Sequence, residues 1–432
     1  MDYNALIIVM GTVTGVMICL VIFMSLYYLL FWSLSARKEV KVPHSDKLSK
    51  FAVLIAARNE SEVISHLLSS LKKQTYPRDS FEVYVIVEKE SDPTINIVKE
   101  FGFQYFVRDR LMDGRRTKGF ALQECIDNLW RNNIHYDAYM IFDADNILDD
   151  NYLEVMNDLR QTGVMVGLGY RNFTNANSNW LTIGSSLMFA YMNQVTSKGR
   201  SILFHKATLM GTGYFVDEKI VADAGGWIFT GMTEDIQLTS YCYYHDVYMR
   251  YYPEVCFYDE QSTDFKTVHN QHLRWLAGYM QRRKFLKKAG VQYDYHPKNL
   301  LSFMNFEFNC GLIPFVIFNV VISISAVIDL VFGIISIFHG GNPAQIGLLF
   351  GLSGFQFLLV YMSFVTPAII TIIRDNERMN LTTKNKIIGM LTYMFFFYDF
   401  ALAFLDGCFH PNKKTNWKRV KHTGEVTNSA IK

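Results

Sequence analysis

The sequence predicts an α/β domain with a mostly parallel sheet, carried between apolar helices. Three observations predict it. Short apolar runs alternate with helical patterns from residue 51 to residue 150, and each run ends in polar residues. An uncharged stretch, Ala5 to Phe31, precedes that region. Further long apolar stretches follow residue 311. The 432 residues are 50% hydrophobic and only 19% charged, enough for two units of ordinary domain size. Lys and Arg number 42 against 40 Asp and Glu, which excludes the global basic field of a nucleic-acid binder. Six cysteines are scattered without a C-x-x-C, a pattern of reduced thiols rather than of a disulfide framework or zinc site.

Ala5 to Phe31 would reach ~40 Å as a helix, enough to cross a bilayer. It lacks the basic leader and small-residue cleavage site of a signal peptide, so it reads as a retained anchor. Arg37, Lys38, Lys41, Lys47 and Lys50 follow it, whereas Met1 to Asn4 carries only Asp2. The positive-inside rule then puts the amino terminus outside and the next domain in the cytosol. This gives an amino-terminal anchor over 1–46, a cytosolic domain over 47–290, and spans, an interfacial helix and a cytosolic tail over 291–432. Leu312 to Phe338 and Ile346 to Ile373 are the second and third spans, joined by "HGGNPAQ". Ile387 to Phe409 is interrupted by Asp399 and Asp406, which favours a helix lying in the interface over one that crosses.

Within the middle domain, Phe51–Ala57 reads as the first strand and ends at "RNES". A helix is expected over Val63–Lys72, a second strand over Phe81–Val87 ending on Glu88, and a helix over Gly119–Trp130. The third strand, "AYMIF", delivers Asp143 and Asp145. In a strand that two-residue spacing puts both carboxylates on one face, so they can share a cation. The competing reading is a turn that caps the next helix at Asn151. An all-oxygen site suits Mg²⁺ or Mn²⁺ bridged to substrate phosphates. "TGMTEDIQL" sets Glu234 and Asp235 at a helix start with Thr233 as possible cap, which alone is an ordinary acidic first turn. In "NQHLRWLAGYM", Gln271, Arg274 and Trp275 share a helical face, suiting phosphate and sugar, or else a membrane-surface helix. "DGRRTKGFAL" places Arg115, Arg116 and Lys118 before a helix, as an anion site or a solvated loop.

The ordered set Asp143-Ala144-Asp145, Thr233-Glu234-Asp235 and Gln271-His272-Leu273-Arg274-Trp275, followed by spans, resembles family 2 glycosyltransferases. The likeness is to the membrane-embedded polysaccharide-synthase branch, that of cellulose, chitin and hyaluronan synthases, and covers Phe51 to about Lys288. The resemblance implies a GT-A fold. It implies that Asp143 and Asp145 hold a nucleotide diphosphate through Mg²⁺ or Mn²⁺, and that Asp235, beside Glu234, is the general base. Gln271 and Arg274 would neutralise the departing diphosphate, and Trp275 would stack on the acceptor sugar. Asn59, Glu60, Glu88 and Lys118 match nucleotide-binding positions, and Gly211, Thr212 and Gly213 match the loop lining the acceptor. Glu88 departs from the family's usual Asp, with Asp92 as a possible substitute. The tail Asn416–His422 resembles segments that close over the donor.

The function implied is an inverting, metal-dependent hexosyltransferase of the plasma membrane, polymerising a β-linked glycan from UDP-glucose or, next, UDP-N-acetylglucosamine. The partners expected are the donor, a growing glycan or glycolipid, and membrane lipids, with an oligomer possible and no nucleic acid. The alternatives are a transferase adding one sugar to a membrane lipid, and a non-catalytic membrane protein that binds or transports nucleotide.

Overall fold

The computed structural model describes residues 3–37, 40–109, 115–291 and 312–409. Lys38 and the tail segment Asn416–His422 lie outside the described residues. The chain starts in helix α1 (Tyr3–Ser35), which contains no charge. Then come β1 (Phe51–Ala56), α2 (Ile64–Lys72), β2 (Phe81–Val87), α3 (Thr94–Glu100), β3 (Gln104–Val107), α4 (Lys118–Arg131) and β4 (Ala138–Asp143). Next are β5 (Ile147–Leu148), α5 (Tyr152–Gln161), β6 (Val166–Phe173) and α6 (Trp180–Tyr191). Helix α6 runs through a π-helical stretch, Met192–Lys198, into α7 (Gly199–Phe204). The domain closes with β7 (Tyr214–Asp217), α8 (Glu218–Asp223), α9 (Glu234–Tyr244), β8 (Met249–Asp259) and α10 (Phe265–Lys288). Three long helices follow, α11 (Leu312–Phe338), α12 (Pro343–Arg374) and α13 (Thr383–Phe409).

The eight strands form one sheet in the order β3-β2-β1-β4-β7-β6-β8-β5. Strands β1 to β4 pair in parallel, as their alternation with helices predicts. The other half is mixed, because β7 runs antiparallel to both β4 and β6 while β6 and β8 are parallel. Four of the seven pairings are parallel, so the mostly parallel expectation holds, and the three antiparallel ones each involve β5 or β7. Four-residue β7 enters the sheet after the long helical excursion α6–α7, so no short β-α crossover sets its direction.

Side-chain alternation along β1 builds two cores. Phe51, Val53 and Ile55 pack with Leu67 and Leu68 of α2 on one face of the sheet. Ala52 and Leu54 pack with Leu122 and Ile126 of α4 on the other. Each of the larger side chains among these contributes about 1.5–3 kcal/mol on burial. The second core does not stop at the domain edge: Phe364 and Ala368 of α12 and Tyr393, Phe396, Phe397 and Phe400 of α13 belong to it. The loop joining α12 to α13 is docked as well. Tyr170 Oη donates to Asp375 (3.1 Å), Asn172 Nδ2 to the Arg378 carbonyl (2.8 Å), and Arg378 to the Pro253 carbonyl (2.7 Å).

Three helical segments among the described residues are long and apolar enough to cross a membrane: Asn319–Phe338, Pro343–Arg374 and Thr383–Gly407. Gln356 of α12 donates to Thr14 of α1 (2.7 Å) and to Asp329 of α11 (3.0 Å), tying these helices through buried polar groups. Helix α13 has two apolar faces of different kinds. Ile387, Leu391, Phe395, Leu402 and Leu405 are exposed, while Phe396, Phe397, Phe400 and Ala403 are buried against protein. Glycines allow its close approach to α6: a Cβ on Gly184 would lie 2.6 Å from the Phe396 ring.

Gly184→Ala therefore costs about 1–3 kcal/mol of packing energy and lowers the midpoint of thermal unfolding in detergent. Gly351→Ala, where a Cβ meets nothing within 4 Å, leaves the midpoint unchanged. Equal midpoints for the two variants would contradict the close approach of α6 and α13.

Candidate active site

Strand β4 ends on Asp143, whose backbone N–H points at Asn146 Oδ1 (3.0 Å) and Thr212 Oγ1 (2.9 Å). The Thr212 hydroxyl donates to the same Asn146 oxygen. The carboxyl end of β4 is thereby locked to the loop that precedes β7. Asp145 lies in the turn beyond the strand, so the argument that strand spacing puts both aspartates on one face does not apply. The turn, not the pleat, carries Asp145, and Asn146 Nδ2 approaches its Oδ1 at 3.4 Å. Asn151 stands at the start of α5 without a side-chain cap, and Asp149 instead accepts the Cys256 N–H (2.6 Å).

Lys118 opens α4. Thr117 caps that helix by accepting the Phe120 N–H, and its hydroxyl donates to the Thr230 carbonyl (2.8 Å). Gly119 permits the approach, since a Cβ there would stand 2.1 Å from the Phe229 carbonyl oxygen. The Lys118 ammonium reaches Asp143 Oδ1 (2.5 Å), the Gly211 carbonyl (2.7 Å) and Glu234 Oε1 (3.8 Å). Burial opposes its charge, yet Asp143, Glu234 and Asp235 together hold its pKa above that of an ordinary lysine.

Glu234 and Asp235 form the first turn of α9. Burial pushes Glu234 up to about 8, against the pull of Lys118, and burial likewise pushes Asp235 up to about 6. The negative charge of Asp235 adds to the rise of Glu234. Thr233 occupies the cap position, but its hydroxyl makes no hydrogen bond and is no side-chain cap. It packs instead on α10, where a Cβ on Gly278 would lie 2.4 Å from Thr233 Oγ1. Gly211 has φ +88°, and a Cβ there would stand 3.9 Å from Asp235 Oδ2, leaving room over that carboxylate. Gly213 has φ +68° and abuts the Phe257 ring, so both glycines of the loop are required by backbone or space.

Gln271, Arg274 and Trp275 lie half-buried on α10. Burial lowers the Arg274 pKa, and the carboxylates of Glu234, Asp143 and Asp235 oppose that. The Trp275 ring meets Phe189 edge-on (6.1 Å) and lies 6.4 Å from Phe400 of α13. The structure thus gathers Lys118, Asp143, Gly211, Glu234, Asp235 and Arg274 around one cleft.

At the first strand edge, Asn59 adopts φ 56° and its N–H donates to Asp92 Oδ2 (2.9 Å); Thr94 N–H takes Asp92 Oδ1 (3.0 Å). Asp92 is committed to that turn, which removes it as a substitute for Glu88. Glu88 is held by Arg58 (3.1 Å), with Arg108 at 3.9 Å. Glu60 is buried beside Asn59, its N–H on Thr94 Oγ1 (3.1 Å). Arg115 pairs with Gln123 (3.2 Å) and Glu124 (3.6 Å) rather than standing open as an anion site; Arg116 is exposed.

One contributor escaped the sequence reading. Arg171 of β6 pairs with Asp259 of β8 (2.5 Å), donates to the Met210 carbonyl (2.7 Å) and lies over the Phe189 ring. Its charge also acts on Asp143 and Asp145. The available signal was an arginine beside a mainly apolar run in "VGLGYRNF". Among the described residues, no three His, Cys, Asp or Glu side chains form a self-contained metal site. Asp143 at the end of β4 and Asp145 in the turn beyond it offer the oxygen donors that a Mg²⁺ or Mn²⁺ accepts.

Residues 49–278, more than half of the chain, match the model of the "Glycosyltransferase like family 2". The chain belongs to that glycosyltransferase family. It is 26% identical over 392 residues to a β-monoglucosyldiacylglycerol synthase of Trichormus variabilis, covering 86% of this chain and 76% of that protein. A probable glycosyltransferase of Bacillus subtilis is 27% identical over 54% of this chain, which spans 56% of that relative. A poly-β-1,6-N-acetyl-D-glucosamine synthase of Staphylococcus epidermidis is 23% identical over 60% of this chain, which spans 63% of it. The fold also matches the mannosyltransferase PcManGT from Pyrobaculum calidifontis in complex with GDP-Man and Mn²⁺. That match has a TM-score of 0.52 and 13% identity over 91% of this chain and 98% of that one. The GT-A-like fold expected from the sequence is therefore present.

The contact between Gly278 and Thr233 gives a direct test of how the cleft is assembled. Gly278→Ala pushes α10 from the start of α9 and lowers donor turnover by about tenfold or more, since ångström-scale misplacement of reacting groups has effects of that order. Unchanged turnover in a steady-state assay would contradict this assembly.

Proposed function

We propose that the protein transfers a hexosyl group, with inversion, from a UDP-sugar to a hydroxyl of a membrane lipid. The observation that carries this reading is the facing of Asp235, under the open Gly211, with Lys118, Asp143 and Arg274 around the same cleft. Asp235 takes the proton of the acceptor hydroxyl as its oxygen attacks the anomeric carbon. The bond from that carbon to the diphosphate breaks, and Lys118, Arg274 and Gln271 meet the negative charge on the leaving group. Asp143 and Asp145 would hold a Mg²⁺ or Mn²⁺ on the diphosphate, which when bound neutralises phosphate charge. Glu234 sits 3.8 Å from Lys118 and is raised by burial, which leaves Asp235 the more readily ionised of the two carboxyls. Asn59, Glu60 and Glu88 line the nucleoside end, and Gly211, Thr212, Gly213 and Trp275 the acceptor end. A single displacement from an α-linked donor makes a β-linked product.

A lipid acceptor is favoured because the acceptor wall is shared with the long apolar helices. Trp275 stands against Phe189 and Phe400, and Phe400 belongs to α13. The relative that pairs with most of this chain is named for making a glucosyl lipid, which supports UDP-glucose as donor. Polymerisation of a β-linked glycan is the second reading, supported by the Q-x-x-R-W residues and by the likeness to the poly-N-acetylglucosamine synthase. In both readings the catalytic domain is cytosolic and the protein a multi-pass protein of the plasma membrane.

The test is UDP release and product size from purified protein with UDP-glucose, UDP-N-acetylglucosamine, divalent cation and diacylglycerol vesicles. A single-sugar lipid is expected, made by wild type and lost in Asp235→Asn; a ladder of chain lengths would favour the second reading. A base must be ionised to act, and Asp235 is raised, so kcat/KM falls as pH drops through about 6 and then declines about tenfold per unit. Full transfer by Asp235→Asn would overturn the assignment.

A further inference from the structure

Helix α10 carries two histidines that the transfer chemistry leaves unused. His269 and His272 stand three residues apart and so share a face of the helix. The Nδ1 atoms of both meet one carboxylate on α13: His269 at 2.7 Å from Asp399 Oδ1, and His272 at 2.6 Å from Asp399 Oδ2. His272 is 1% and Asp399 2% exposed, so this contact is inside the protein. The His272 ring stacks on Phe400 at 3.8 Å and lies 5.3 Å from the Trp275 ring. His269 Nε2 lies 3.6 Å from Asp406, one further carboxylate on the same apolar helix. The two charges that interrupt the last apolar segment are thus both directed at the helix bearing Gln271, Arg274 and Trp275.

A buried carboxylate that spends both oxygens on two rings of one helix fixes that helix in rotation and in depth. Turning α10 or sliding it by one residue separates both nitrogens from Asp399, and leaves a buried charge without its donors. Arg274 and Trp275 lie two and three positions beyond His272, so whatever fixes His272 fixes them.

We propose that Asp399 is a positioning residue for glycosyl transfer: it sets the orientation of α10, and with it Arg274 and Trp275, from helix α13. This rests on the roles given above to those two residues. It makes α13 a structural member of the acceptor side of the site, although no atom of Asp399 touches substrate.

The experiment measures kcat per folded molecule and donor KM for wild type, Asp399→Asn, His272→Gln, the double variant and His269→Gln, all as the full chain in detergent. A positioning role predicts that Asp399→Asn lowers kcat about tenfold or more while donor KM stays within about twofold, because the interaction lost acts on the transition state and not on uniform donor binding. It predicts that the double variant falls no further than the single ones, since the two residues act through one contact. Normal kcat in Asp399→Asn with only a lower thermal midpoint would overturn the proposal, as would losses that multiply in the double variant. If Asp399→Asn does not fold, His269→Gln, at a ring 20% exposed, decides the matter: a reduced kcat at unchanged donor KM supports positioning, and wild-type kinetics refutes it. Asp235→Asn in the same series keeps the two claims apart. Activity there means that the assignment of the site fails, whereas its silence beside a fully active Asp399→Asn means that only the positioning role fails.

Discussion

The Lys118 ammonium lies 2.5 Å from Asp143, 2.7 Å from the Gly211 carbonyl and 3.8 Å from Glu234. These groups come from the end of β4, the loop before β7 and the start of α9, so one cation joins three segments far apart in sequence. The constraint behind it is electrostatic. Asp143, Asp145, Glu234 and Asp235 are crowded together, with Lys118, Arg274 and, toward the first two, Arg171 as the opposing charges. Burial raises the pKa of Glu234 and Asp235, and Lys118 offsets it only in part. Raised carboxyl groups of this kind are what the proposed transfer draws on. The same crowding explains the neighbouring glycines: Gly119 and Gly278 let backbone and helix approach where a methyl group would intrude.

The cleft is not confined to the sheet. Its α10 wall shares Asp399 and Phe400 with α13, and one hydrophobic core runs from Leu54 of β1 through Tyr241 of α9 to Phe364 of α12. The long apolar helices are packed into the domain, and the α12–α13 loop is bonded to β6 and β8 through Tyr170, Asn172 and Pro253. An acceptor arriving along the apolar helices would therefore meet a wall made by the same residues that orient Trp275.

The strands β1 and β4 were legible because each is a continuous apolar run buried along its length, and β2 because only Glu82 interrupts its apolar run, with helical patterns between them. The half of the sheet beyond β4 was not. Strand β6 contains two glycines and an arginine, β7 has four residues, and β5 has two, so none gives a sustained period. The cleft residues were readable as an ordered set of short motifs, and the structure gathers most of them in one place. Their local geometry was less so: Asp145 sits in a turn, Thr233 packs rather than caps, and Asp92 holds Asn59. Arg171 with Asp259, and Asp399 with its histidines, are pairs made across 88 and 127 to 130 residues. No local pattern announces such a partner. The interruption of an apolar stretch by Asp399 and Asp406 was nevertheless visible, and its explanation lies on another helix.

The central claim is a single displacement with Asp235 as base, and the anomeric configuration of the product tests it most directly. With an α-linked UDP-sugar and the isolated glycosylated product, proton NMR of the new anomeric centre distinguishes the outcomes. A β-linked product is predicted. An α-linked product would require two displacements or a different attacking face, and would contradict the account.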